Sequence, residues 1–175
     1  MALSWRDALE IFQEVAVGLK ALHDQGLAHG DLWPGNIHLT IDQDVKLEGA
    51  GGLCRSPRPL SAILQGAALG YAAPERHRGA PATPGSDLYS LGLCLYNALA
   101  RQDPFLAQES RLLLESILNQ EPAALTTLCP NLPAEFLEFF RRLTAKDPTG
   151  RYASADDGLA DLQALKAGKP LAPLR

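Results

Sequence analysis

The sequence is poor in the residues that mark several large functional classes. It has three cysteines in 175 residues, Cys54, Cys94 and Cys129. Their number is odd and their spacing wide, so they form neither a disulfide framework nor a metal-ligand pattern. Small buried hydrophobes in a reducing compartment, the cytoplasm, are the expectation. The four histidines, His23, His29, His38 and His77, show no ligand spacing. No basic run stands out among 16 basic and 20 acidic residues, and the net charge is −4. A phosphate-tracking surface for nucleic acid is therefore not expected. The region after Met1 lacks a basic start followed by an apolar core. The longest apolar helix is interrupted by polar residues, so neither a leader nor membrane insertion is expected. Internal repeats and low-complexity segments are also missing.

What remains is the composition of one folded domain. Apolar residues make up 46% of the chain, and its length suffices for a sizeable core. Ser4, with Asp7 three residues on, reads as a helix start. Ala8, Ile11, Phe12, Val15, Leu19 and Leu22 then repeat at helical spacing, predicting a helix over 5–25 stopped by Gly26. Ile37–Leu39 and Val45–Leu47 alternate around a turn at 42–44, which predicts a small hairpin. Residues 49–85 carry seven glycines and five prolines without a period and read as a long loop. A helix capped by Ser86 over 87–100 is apolar nearly all round and is predicted to be central and buried. Asp87 at its start then requires donors. Further helices are predicted over 109–119, after Pro133, and after Ser154 with Asp157. Residues 169–175 form a tail with no core of its own. The fold class is mainly α (α+β): a helical bundle with a small β-hairpin.

The chemistry-bearing stretch lies between the first helix and the hairpin. Leu27 to Leu39 holds Asp31 and Asn36 five residues apart, among two glycines and a proline. A carboxylate that accepts a proton and an amide oxygen that can bind a metal are what a phosphoryl-transfer loop requires. A polar connection with an Asx-type turn uses the same residues, so this stretch alone leaves both open.

Order and spacing together resemble the C-terminal lobe of a eukaryotic-type protein kinase, in its bacterial Ser/Thr branch. His29-Gly30-Asp31-Leu32-Trp33-Pro34-Gly35-Asn36 resembles the catalytic loop H-R-D-L-K-P-x-N. Ala73-Pro74-Glu75 resembles A-P-E, Asp87-Leu88-Tyr89-Ser90-Leu91-Gly92 resembles D-x-W-S-L-G, and Asp147-Pro148 with Arg151 resembles D-P-x-x-R. The resemblance implies a kinase-like lobe over 1–168, with its catalytic loop at 29–36 and its activation segment at 49–75. Asp31 would be the base and Asn36 a magnesium ligand. His29, Glu75, Asp87 and Arg151 would be structural, with Asp87 bracing the catalytic loop and Glu75 paired with Arg151.

The departures are specific. Gly49-Ala50-Gly51 stands where D-F-G is expected, so the metal-holding carboxylate is missing. Glu48 is one residue early, and a one-residue slip turns a strand side chain to the other face. Trp33 replaces the catalytic-loop lysine, Gly30 the arginine, and Ala68 the threonine before A-P-E. The loop keeps Ser56 and Ser61. Nothing before Ser4 matches a Gly-rich loop or a V-A-I-K lysine, so the N-terminal lobe is expected to be absent. The resemblance thus implies a pseudokinase-like regulatory or interaction module with no cofactor of its own. ATP and Mg²⁺ are expected only if an N-terminal lobe is supplied. A protein partner, or the missing lobe, is expected to cover an exposed apolar face on the hairpin and near Trp33, where self-association is the alternative. A second reading is an active ATP-dependent Ser/Thr kinase domain truncated at its N-terminus, using Asp31 and Asn36, with Glu48 taking over the metal. A third, from H-G-D-x-x-x-x-N, is a small-molecule kinase similar to aminoglycoside and choline phosphotransferases. That one needs a second acid near Gly49.

Overall fold

The structure is a computed structural model describing residues 3–42, 44–51, 66–106 and 109–174. Cys54, Ser56 and Ser61 lie outside the described residues. Seven α-helices and one hairpin are described: α1 (Trp5–His23), β1 (Ile37–Leu39), β2 (Val45–Leu47), α2 (Pro74–His77), α3 (Pro84–Ala100), α4 (Ser110–Asn119), α5 (Leu125–Leu128), α6 (Ala134–Thr144) and α7 (Ala155–Lys166). Short 3₁₀ turns cover Pro34–Asn36, Gly66–Tyr71 and Pro148–Gly150. The architecture is mainly helical with a two-stranded antiparallel sheet, in agreement with the expected class. None of the described helices is long and apolar enough to cross a membrane.

Helix α3 is the axis of the bundle. Every residue from Ser86 to Tyr96 is buried, as the all-round apolar pattern requires. Helices α1, α6 and α7 pack around it, sharing one core that includes Leu9, Leu19, Leu93, Phe136, Phe139 and Leu162. Gly92 lets α6 come close: a β-carbon there would lie 2.7 Å from Thr144 Cγ2 and 2.8 Å from Leu143 Cβ.

The helix ends follow from local chemistry. The Ser4 hydroxyl accepts the Asp7 N–H at 3.1 Å, and Ser154 accepts that of Asp157 at 3.2 Å, both as expected. Helix α1 ends at His23 rather than Gln25, and the chain turns through Gly26 at φ 70°. Helix α3 starts three residues before the expected point. Thr83, not Ser86, is the N-cap, and the two side chains satisfy each other's backbone N–H groups as a capping box. Pro84 fits the first helical position because its missing N–H is not needed there.

One further expectation is corrected. The long loop over 49–85 contains the 3₁₀ turn Gly66–Tyr71 and the short helix α2, both too brief to show a period. The tail rests on the core of the bundle: Leu171 is half-buried against it, and Ala172 is hydrogen-bonded to both α6 and α7.

The hairpin pairs Ile37 with Leu47, His38 with Lys46 and Leu39 with Val45. Ile37, Val45 and Leu47 turn towards α1, where Leu47 fills the space beside Gly18. His38 and Lys46 face outward and are exposed. The strand faces thus divide into a packed side and a polar outer side. Exposed apolar side chains gather near the tip, at Leu39 (56% exposed) and Ile41 (fully exposed).

Candidate functional site

The loop from Ala28 to Asn36 is held from below by α3. Asp87, 2% exposed, accepts the backbone N–H of His29 at 2.7 Å and that of Gly30 at 2.9 Å. His23 Nε2, on the last turn of α1, lies 2.9 Å from the same carboxylate. A buried acid at this helix start finds its donors in the loop rather than in its own helix. Gly30 at φ 78° takes the left-handed turn that presents its N–H. Behind the loop, Gly51 donates its N–H to the His29 carbonyl at 2.9 Å, and Glu48 donates to the Asn36 carbonyl at 3.0 Å. The segment after β2 is thereby tied to both ends of the loop.

Asp31 and Asn36 meet above this brace. Asn36 Nδ2 donates to the Asp31 carbonyl at 2.8 Å and to its carboxylate at 3.2 Å. The Asp31 N–H donates to His29 Nδ1 at 3.3 Å. Burial pushes the Asp31 carboxyl above its usual range, against the opposing pulls of Asn36 and His29. Burial also lowers the basicity of His29. A half-buried carboxylate with an elevated proton affinity, fixed by an amide, is able to take a proton from a hydroxyl placed against it.

Around that carboxylate stand the residues at which the sequence departs from the motifs it resembles. Gly49 follows β2 at φ 76°, and a β-carbon there would lie 3.0 Å from Asn36 Nδ2. Glu48 is exposed, with its carboxylate 3.4 Å from His38 Nε2. Trp33 is half-buried with its ring across Gly35, where a β-carbon would lie 2.4 Å from two ring atoms. Ala68, half-buried, has no hydroxyl to offer the loop.

Mg²⁺ demands near-octahedral oxygen coordination, commonly through one or two carboxylates plus phosphate oxygens. Here Asp31 and the amide oxygen of Asn36 are the oxygens at hand, Gly49 contributes no side-chain oxygen, and Glu48 is exposed beside His38. Among the described residues no cluster of three or more His, Cys, Asp or Glu could hold a metal ion. Beside the Asn36 amide, Asp31 is the carboxylate that the loop itself supplies.

Away from the loop, Arg151 forms a two-pronged ion pair with Glu75 at 2.6 and 2.9 Å. Its remaining donors go to the carbonyls of Ala145, Gly85 and Lys146. This joins α2, the start of α3 and the turn before α7. Three side chains not singled out from the sequence also take part. His23 shares Asp87, Lys146 donates to the Tyr89 hydroxyl at 3.0 Å, and Tyr71 donates to Asp103 at 2.7 Å. His23 had a signal, since it sits one helical turn before the loop that Asp87 braces.

The sequence matches the family model described as a protein kinase domain over residues 1–161. It is 34% identical over 158 residues to the serine/threonine-protein kinase PknL of Mycobacterium tuberculosis, covering 89% of this chain and 39% of that protein. It is 31% identical over 170 residues to PknA of the same organism, covering 95% and 38%. Similarity to the Corynebacterium efficiens protein named serine/threonine-protein kinases drp72 is 29% over 164 residues, covering 92% and 31%. The chain spans less than two fifths of the length of these relatives. With the loop, its buried brace and the Glu75–Arg151 pair in their expected order, the chain belongs to the protein kinase family, in its bacterial Ser/Thr branch.

Proposed function

We propose that this chain is a kinase-like lobe impaired in phosphoryl transfer, acting as a regulatory or interaction module. The observation that carries the proposal is at Gly49. Gly49, two residues past β2, has no carboxylate, and a β-carbon there would lie 3.0 Å from the Asn36 amide, which is itself bonded to Asp31. Phosphoryl transfer relies on positioning and charge neutralisation. Loss of one electrostatic donor lowers a rate by roughly 10²–10³. Here a metal carboxylate, a phosphate lysine (Trp33) and a hydroxyl (Ala68) are replaced together, and even non-additive losses leave little. The groups that brace the lobe, Asp87, Glu75 and Arg151, keep their partners. The free thiols Cys94 and Cys129 are in keeping with a reducing, cytoplasmic setting.

The second reading is an active Ser/Thr kinase domain that works with further chain. Asp31 and Asn36 favour it, being joined in one hydrogen-bonded unit. It requires Glu48, exposed and one residue before Gly49, to take over the metal.

The test is thermal unfolding with ATP, with and without Mg²⁺, beside incorporation of labelled phosphate into a Ser/Thr peptide. The expected result is no Mg²⁺-dependent shift and no incorporation above an Asp31→Asn control. A Mg²⁺-dependent stabilisation with incorporation lost in Asp31→Asn overturns the proposal.

A further inference from the structure

The C-terminal tail is gripped through the backbone of one residue. Asp161, on α7, has a side chain only 3% exposed. Its Oδ1 accepts the Ala172 N–H at 2.9 Å, while Oδ2 accepts the Tyr152 hydroxyl and Arg142 Nη1, both at 2.9 Å. Arg142, on α6, donates from the same Nη1 to the Ala172 carbonyl. Both backbone polar groups of Ala172 are therefore matched by charged side chains from two different helices, in the manner of a strand neighbour. Charge-assisted hydrogen bonds of this kind are the stronger ones, and their direction along the chain is fixed. Arg142 is itself steadied by Glu138, 2.8 Å from its Nε.

The tail sequence suits such a grip. Lys169-Pro170-Leu171-Ala172-Pro173-Leu174 places a proline two residues before and one after Ala172. Prolines fix an extended backbone in advance and donate no N–H that would need a partner. Leu171 sets its side chain against the core, and beside Ala172 a cavity of about 100 Å³ runs along Tyr152, Asp157 and Asp161 to Leu174. Nothing in the grip on Ala172 reads its side chain, and Ala172 itself is exposed.

We propose that the crevice between α6 and α7 is a docking site for extended, proline-flanked peptide segments, and that residues 169–174 are its resident occupant in cis. The site selects a residue with a free N–H and C=O between prolines, preceded by a leucine anchor. Because the tail follows α7 directly, its effective concentration at the crevice reaches the millimolar range or above, so a free peptide does not displace it. The site becomes open to a peptide on another molecule when the tail is released.

The test uses the full chain and its Ala172→Pro variant, which removes the N–H given to Asp161 and sets a ring against that carboxylate. In the wild type, amide exchange at Ala172 is expected to be slowed at least tenfold from its intrinsic rate. A fluorescently labelled peptide of sequence Lys-Pro-Leu-Ala-Pro-Leu is expected to bind the variant at least tenfold more tightly than the wild type. The same peptide with proline in place of its alanine is expected to bind at least tenfold more weakly. Unslowed exchange at Ala172, equal binding of the peptide to both proteins, or binding to neither overturns the proposal. Thermal unfolding of the variant within a few degrees of the wild type verifies that the bundle is intact.

Discussion

Arg151 holds Glu75 with two nitrogens, at 2.6 and 2.9 Å, and its own side chain has no exposure to solvent. All five of its N–H donors are used, three of them on carbonyls from two segments, Ala145-Lys146 and the start of α3 at Gly85. Replacing Glu75 by Gln leaves the guanidinium buried without its counter-charge, a loss on the order of 3–5 kcal/mol. Arg151→Lys is expected to fare little better, since an ammonium has three donors and no planar fork. Chemical denaturation of both variants checks this. A midpoint unchanged by Glu75→Gln would remove the pair from any role in holding α2 to the bundle.

Asp87 is expected to matter for the loop more than for its own helix. Asp87→Asn keeps the shape but turns one charged acceptor into a donor facing the N–H groups of His29 and Gly30. Hydrogen bonds to charged groups contribute roughly 1.5–3 kcal/mol each, so the expected loss is about 2–4 kcal/mol. Amide exchange should quicken at His29 and Gly30 before it does within α3. Uniform quickening along α3 with no change in the loop contradicts the assignment.

Asp31 is held in a place that suits its neutral form. Burial raises its folded-state pKa above that of the unfolded chain. As pH rises through that interval the unfolded chain loses its proton first, so stability falls across the window and stays lower above it. Asp31→Asn, which never ionises, is expected to unfold at a higher temperature than the wild type at pH 7. The difference should shrink as pH falls towards the unfolded carboxylate value. Midpoints measured across that pH range check the sign, and a variant less stable at pH 7 contradicts it.

Gly92 sets the distance between α3 and α6. A methyl at this position meets Thr144 Cγ2 and Leu143 Cβ within 2.8 Å. Over-packing of this kind costs about 1–3 kcal/mol, so Gly92→Ala is expected to lower stability even though alanine is the better helix former. A Gly92→Ala chain as stable as the wild type would show that α6 is free to shift outward.

The long periodic helices were legible because burial on one side imposes a spacing: Phe12, Val15 and Leu19 on α1, and Leu159, Leu162 and Leu165 on α7. The partners of Asp87 and of Arg151 were legible through the family resemblance, which links residues far apart in the chain. Helix α5, Leu125–Leu128, was not, since four residues make one turn and no repeat. The direction in which the hairpin faces is not legible in the sequence either. Ile37-His38-Leu39 shows that two faces differ, but only the position of α1 decides that Ile37 and Leu47 turn inward and His38 outward. Asp161 lies between the inward leucines of α7 and looks like an ordinary polar residue in sequence. Its burial depends on Arg142, Tyr152 and the tail, which no local pattern brings together.

The Trp33 ring over Gly35 has a consequence for which sequences lie within reach of this one. With ring atoms 2.4 Å from the place of a β-carbon, position 35 tolerates only glycine while Trp33 stays where it is. A substitution at Trp33 meets no such block from glycine. Any larger residue at 35 therefore has to turn the indole aside. Gly35→Ala is expected to shift the Trp33 fluorescence, and Gly35→Ala on a Trp33→Lys background is expected to leave stability unchanged. The resting place of the indole is thus set by the smallest side chain in the loop.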